Sequence, residues 1–236
     1  MPAITFDYGQ TLVELDTSFL AARVAERGAA VEVTRLDGSL SAAWTAYNDA
    51  KHRGESGYEA WRSLMAALLT GAGVSSLEDP GRDVTTSLVD FLWSEQPRRN
   101  LWRRPIAGMA ELVSDLARER VPLGIVSNSE GRLRELLEEM GLAPFFSVVA
   151  DSGKLGFEKP DRRIFDFAAE GLGVPTHELI HVGDAWAADI EGALGVGARA
   201  IWIAQEQRGI SLPPRVVLCR SASEIRSALR AWGVPA

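Results

Sequence analysis

A doubly wound, parallel α/β sheet interrupted by a helical insertion is the architecture predicted by this 236-residue sequence. Short apolar, β-branched runs recur at Ala3 to Phe6, Leu123 to Val126, Phe146 to Ala150, Leu179 to Val182 and Ala200 to Ile203. Their length and continuity suit strands buried on both faces. Helical periodicity fills most of the intervals between them, and strand alternating with helix implies a sheet whose ligands bind beyond the carboxyl ends of the strands. The exception is the interval from Asp16 to Pro97, which is too long for one crossover and is itself helical in pattern.

The first run, Ala3 to Phe6, ends at Asp7. Within the long interval Trp61, Leu64, Met65, Leu68 and Leu69 recur at helical spacing, and breaks at Gly54 to Gly57, Gly71 to Ser76 and Asp79 to Arg82 separate successive helices. Two domains are expected: an α/β core of residues 1–15 and 98–236, and a helical cap of residues 16–97. Ile106, Met109, Leu112, Val113 and Leu116 form one stripe ahead of the second strand, and Leu133, Leu136, Leu137 and Met140 another after it. Both read as helices packed on the sheet. A chain of this length buries a core without staples.

Composition narrows the partners. With 32 acidic against 25 basic residues the net charge is −7, which repels nucleic acid and anionic lipid. The single cysteine, Cys219, excludes an internal disulfide and suits a reducing compartment. No His or acidic residue flanks it in Val217-Leu218-Cys219-Arg220, so it reads as an inert, buried thiol. The opening Met1 to Phe6 has neither a basic nor a long apolar segment, and no run approaches membrane-spanning length. A cytoplasmic monomer or homodimer is expected.

Four polar elements follow four of the strands: Asp7, then Ser127-Asn128, then Lys159, then Gly183-Asp184 with Asp189. A doubly wound sheet gathers them at one edge. Asp7 and Asp184 are carboxylates from different strands, a donor set suited to a hard cation, and Mg2+ takes one or two carboxylates plus water and phosphate oxygens. Lys159 adds a positive charge, and the Ser127 hydroxyl can donate to phosphate oxygens. Taken singly, each has a plainer reading: Asp7 as a turn residue, Ser127 and Asn128 as loop formers, Asp184 as a helix cap.

In order, Phe6-Asp7-Tyr8-Gly9-Gln10-Thr11-Leu12, Val126-Ser127-Asn128, Glu158-Lys159-Pro160-Asp161 and Val182-Gly183-Asp184-Ala185-Trp186-Ala187-Ala188-Asp189 resemble the four motifs of the haloacid dehalogenase-like hydrolase superfamily. A helical cap between the first and second motifs marks one branch of that family. The resemblance implies that Asp7 is the nucleophile of a Mg2+-dependent hydrolase of a small phosphorylated metabolite and forms an aspartyl-phosphate. It further implies Ser127, with Asn128, at the phosphate and Lys159 steadying nucleophile and phosphate. Asp7, the Gly9 carbonyl and Asp184 would hold Mg2+, with Asp189 orienting water or Lys159 behind them.

One position departs from the pattern. Phosphatases of the family carry a second aspartate two residues after the nucleophile, as general acid and base, and here that position is Gly9. Family members without it include enzymes that cleave carbon–phosphorus or carbon–halogen bonds, so such a reaction is the alternative, and a phosphate-binding protein without turnover is a third. Retention of Asp184 speaks against the carbon–halogen reaction, whose enzymes lack the metal-binding acid. In the cap, Lys51, His52 and Arg53 are candidate substrate contacts; they also read as a basic helix end complementing the helix dipole. Trp44 and Trp61 read as packing between cap helices, and His181, in the fourth strand, as a satisfied core histidine.

Overall fold

The computed structural model describes residues 1–55, 57–207 and 211–236. It divides into two compact units, Met1–Leu15 with Trp102–Ala236, and Asp16–Leu101. Ser56, within the break expected at Gly54 to Gly57, lies outside the described residues. In chain order the strands are β1 (Ala3–Phe6), β2 (Val13–Leu15), β3 (Ala29–Ala30), β4 (Ser75–Ser76), β5 (Trp102–Pro105), β6 (Leu123–Ser127), β7 (Val148–Asp151), β8 (Leu179–Gly183), β9 (Arg199–Ile203) and β10 (Val216–Cys219). The α-helices are α1 (Thr17–Ala25), α2 (Val33–His52), α3 (Gly57–Gly71), α4 (Thr85–Glu95), α5 (Met109–Arg118), α6 (Leu133–Glu139), α7 (Ser152–Leu155), α8 (Arg162–Leu172), α9 (Gly192–Gly195) and α10 (Ala222–Ala231).

The first unit holds a six-stranded parallel sheet in the order β10-β9-β8-β1-β6-β7. Because side chains alternate along a strand, Ile4 and Phe6 of β1 face one layer while Ala3 faces the other. The first layer is built from α5, α6 and α10, with Leu112, Val113, Leu116, Leu137 and Leu229 against Ile125, Ile180 and Val182. The second is built from α8 and α9, with Ile164, Phe165, Ala168 and Ala193 against Val126, Ala150 and Ala200. The helical stripes anticipated before and after β6 form the buried faces of α5 and α6, except that Ile106 and Met140 lie just outside the helices and are partly buried. The sequence reading misses β10, a four-residue edge strand in which only Val216 and Cys219 are buried. Burial pushes the Cys219 thiol up to about 11, in keeping with an inert side chain.

β1 lies between β8 and β6, pairing Ile4 with Ile180 and Leu123, and Phe6 with Val182 and Ile125. This central position brings the carboxyl ends of the three strands together. Beyond β1 the chain turns back, and β2 pairs antiparallel with β5, Val13 opposite Pro105 and Leu15 opposite Trp102.

The second unit is mainly α1 to α4, with β3 and β4 as a small antiparallel pair. It runs to Leu101, past the expected limit at residue 97. Hydrogen bonds explain the difference: Asp16 N donates to Leu101 O at 2.9 Å, Leu101 N to Gln96 Oε1 at 3.2 Å, and Arg99 forms a two-pronged ion pair with Glu26. Trp61 is buried, its ring centroid 5.2 Å from that of Trp93, while Trp44 stacks edge-on with Tyr47 within α2. No helix among the described residues is long and apolar enough to cross a membrane.

Candidate active site

Asp7 follows β1 directly and is 8% exposed. Its Oδ1 accepts a hydrogen bond from Lys159 Nζ at 2.6 Å, and the Ser127 hydroxyl at the end of β6 donates to the same carboxylate. Lys159 is 2% exposed, and its ammonium also meets Asp189 Oδ1 at 2.6 Å and Val126 O at 2.7 Å. Three acceptors around one buried ammonium leave it little freedom to move. Burial alone would lower the Lys159 pKa, but the charges of Asp189 and Asp7 outweigh it and hold the ammonium charged. Asp7 shifts upward because burial and Asp189 together exceed the help from Lys159.

Asp189 lies in a π-helical turn, Trp186–Glu191, that follows β8. Such turns widen the helix by one residue and recur at functional sites. Here the turn folds the Asp189 carboxylate back over the strand end, where Oδ2 accepts from Ala185 N at 2.9 Å. The approach requires glycine at position 183, since a Cβ there would lie 2.3 Å from the Asp189 carboxyl carbon. Asp189 Oδ1 also lies 3.1 Å from His181 Nε2, and His181 Nδ1 lies 2.9 Å from Thr5 Oγ1. A carboxylate only accepts, so Nε2 carries the hydrogen of that bond. Burial would raise the Asp189 pKa, but Lys159 and His181 reverse the shift and keep it well below the usual carboxylate range.

Asp184 is the unbalanced member. Burial, with the charges of Asp189 and Asp7, pushes its carboxyl well above the usual range. Its backbone carbonyl accepts from Trp202 Nε1 at 2.9 Å, which fixes the backbone rather than the acid. Oxygens of Asp7, Asp184 and Asp189 all lie within 4.8 Å of one another. Three carboxylates against the Lys159 ammonium leave an excess of negative charge on hard oxygen donors, which suits a divalent cation. Lys159, His181 and Ala185 N engage both oxygens of Asp189, whereas Asp7 is bonded by Lys159 through Oδ1, which makes Asp7 and Asp184 the candidate direct ligands.

The loop after β6 is held by two residues. Asn128 Oδ1 accepts from Lys159 N at 2.8 Å and its Nδ2 donates to Lys159 O at 3.0 Å, so the carboxamide clasps the backbone of the lysine segment. Asp151, at the end of β7 and 2% exposed, accepts from Ser129 Oγ, Gly131 N, Leu133 N and Gly153 N at 2.7 to 3.1 Å. Replacing it by alanine would leave four donors without their acceptor, Leu133 N buried and the other three partly buried, so Asp151→Ala is expected to cost about 3 kcal/mol. Urea unfolding checks this. An unchanged midpoint would mean that the loop does not depend on the carboxylate.

A family model described as "Hydrolase: haloacid dehalogenase-like hydrolase" matches residues 1–197, more than half of the chain. The chain belongs to the haloacid dehalogenase-like hydrolases. Among curated relatives of this hydrolase, the mouse "Haloacid dehalogenase-like hydrolase domain-containing protein 3" is 27% identical over 86% of this chain and 82% of its own. The "Phosphoserine phosphatase" of Thermus thermophilus is 32% identical over 70% of this chain and 64% of its own. Among solved structures, the HAD-hydrolase YfnB of Bacillus subtilis, bound to magnesium, superposes with a TM-score of 0.71 at 22% identity, covering 97% of this chain and 98% of that one. At that identity the likeness concerns the fold.

In this dehalogenase-like hydrolase Asp7, Ser127, Lys159, Asp184 and Asp189 meet at the strand ends of the first unit. Asn128 touches the lysine backbone, and Gly9 lies in the turn after β1. Lys51 and His52 close α2 and Arg53 caps it, pairing with Glu55, so they form a basic helix end within the second unit. His181 is buried and satisfied as anticipated, but it also touches Asp189, a link the sequence does not signal. Sequence reasoning misses Asp151 altogether; an aspartate at a strand end looks like any turn residue until its four donors are in place.

Proposed function

We propose that this hydrolase removes phosphate from a small phosphorylated metabolite, with Asp7 as nucleophile and Mg2+ as cofactor. The observation that carries the reading is the Asp7 carboxylate oxygen held 2.6 Å from a buried, charged Lys159 that Asp189 and Val126 O fix from behind. A nucleophile so oriented has its conformational cost met before substrate arrives. An Asp7 oxygen attacks phosphorus as the bond to the leaving oxygen breaks, and the leaving oxygen takes the bonding pair. Water then attacks the aspartyl-phosphate at phosphorus, releasing inorganic phosphate and restoring the carboxylate. Lys159 and the Ser127 hydroxyl meet the transferring oxygens with positive charge and a hydrogen bond. Mg2+, held by Asp7, Asp184 and the Gly9 carbonyl, would supply further neutralisation of the phosphate. The relatives named phosphoserine phosphatase and pyrimidine 5'-nucleotidase support a small phosphorylated substrate; both names denote alkyl phosphate esters, so a different leaving-group preference would be this chain's own departure.

The helical unit Asp16–Leu101 we read as the cap that selects among substrates, with Lys51, His52 and Arg53 as its candidate contacts. The deciding assay measures phosphate release from a panel of phosphorylated metabolites with Mg2+ and with EDTA; no release from any of them would sink the reading. Asp184→Ala deletes a direct ligand while leaving the Asp7–Lys159 pair in place. We expect it to raise the Mg2+ concentration for half-maximal activity by roughly tenfold or more, and an unchanged Mg2+ titration would remove Asp184 from the metal site.

A further inference from the structure

Gly9 does not have the positive φ that marks many of the chain's glycines, so its backbone does not call for a missing side chain. What fills the space is Trp102. A Cβ at position 9 would lie 3.1 Å from Trp102 Cδ1 and 3.3 Å from Nε1, both tighter than ordinary van der Waals contact, and 3.8 Å from Cγ. The pyrrole edge of the indole is thus turned to the place where an acid–base side chain would start. Trp102 is anchored there through its backbone, which pairs with Leu15 and accepts the Tyr8 hydroxyl at 3.3 Å. Tyr8 is itself buried, between Asp7 and Gly9 in the chain. An indole N–H donates a hydrogen bond but has no proton to transfer near neutral pH.

We propose that Trp102 is a specificity-determining residue: its indole edge crowds the first atom of any side chain at position 9 and keeps an acid–base carboxyl out, so the site takes phosphates whose leaving group departs as a stable anion. The substrate class is aryl and acyl phosphates rather than alkyl phosphates, and the inference rests on the phosphatase reading above. A carboxylate restored at position 9 would require the indole to give way by a few tenths of an ångström, since the first atom of any side chain there meets it.

The test measures kcat/KM with Mg2+ for p-nitrophenyl phosphate, acetyl phosphate and β-glycerol phosphate in wild type, Gly9→Asp, Trp102→Ala and the double variant, with Trp102→Leu and its double as a second series that keeps an apolar side chain. Wild type is expected to favour the aryl and acyl substrates over the alkyl one by ~10²-fold or more, the size of a missing general acid. Gly9→Asp alone should leave that preference nearly intact, and adding Trp102→Ala or Trp102→Leu should cut it by roughly tenfold or more through faster alkyl hydrolysis. Thermal unfolding reads the same coupling without turnover: Gly9→Asp should lower Tm with Trp102 present and lower it less in the Trp102→Leu background. Equal narrowing by Gly9→Asp alone, or additive Tm shifts, would overturn the role of Trp102 while leaving the phosphatase standing. Silence of wild type on the aryl and acyl substrates would overturn this inference, and silence on the metabolite panel as well would overturn the phosphatase reading.

Discussion

Asp7→Asn is expected to lower phosphate release by roughly 10³-fold or more, about 4 kcal/mol of transition-state stabilisation. An amide is a poor nucleophile, and an aspartyl-phosphate has no route to form from it. The variant is informative because it preserves shape. Its Oδ1 can still accept from Lys159 Nζ, the bond that measures 2.6 Å in the native site. It also relieves strain, because the Asp7 carboxyl is raised by burial and by its neighbour Asp189. The Tm in the absence of metal should therefore hold or rise while turnover collapses, the trade expected of a residue kept for chemistry at some cost in stability. Near-native phosphate release from the purified variant would dismiss Asp7 as the nucleophile.

Lys159→Met should damage both activity and the fold. The ammonium is 2% exposed and bonds Asp7, Asp189 and Val126 O. Deleting it leaves two buried carboxylates facing each other without a counter-charge, and breaking a buried pair on one side typically costs about 3 to 5 kcal/mol. Met keeps the length and most of the apolar volume, so the loss reports charge rather than a cavity. Denaturant unfolding measures the stability and phosphate release the turnover. Lys159→Arg is not expected to rescue either, since a planar guanidinium does not fit three acceptors arranged around a point charge. A Met variant as stable as wild type would mean that the carboxylates are neutralised by something other than Lys159.

Much of this site can be read along the chain because its parts sit at strand ends. Asp7, Ser127 and Gly183-Asp184 end runs of apolar, β-branched residues, and a parallel sheet brings those ends together. Lys159 is harder, since it comes after α7 rather than directly after a strand, and what places it is the Asn128 carboxamide bridging from the neighbouring loop. Asn128 reads from the sequence as a phosphate contact, yet both bonds it forms here are to the lysine backbone. The Trp102 indole beside Gly9 has no signal at all: β2 pairs with β5 through a register shift between Glu14 and Leu15 that sets Trp102 opposite Leu15, and pairing between short, distant segments leaves no periodicity to detect. His181 looks like an ordinary core residue and is one, but its second nitrogen reaches Asp189.

The place of β1 in the sheet also bears on how the protein is made. β1 lies between β6 and β8, and both partners follow it late in the chain, at Leu123–Ser127 and Leu179–Gly183. During synthesis the strand that leads into Asp7 leaves the ribosome long before either neighbour exists. Pairings across so much sequence form slowly, because long loops must close before the contacts repay them. The nascent chain therefore carries an apolar strand with two bare edges until β6 arrives, and with one until β8 does. Asp7 is among the early residues to be synthesised and among the late ones to be positioned. A product that stops short of Gly183 would leave one edge of β1 open to pairing with other chains and would lack Asp184 and Asp189, which follow β8.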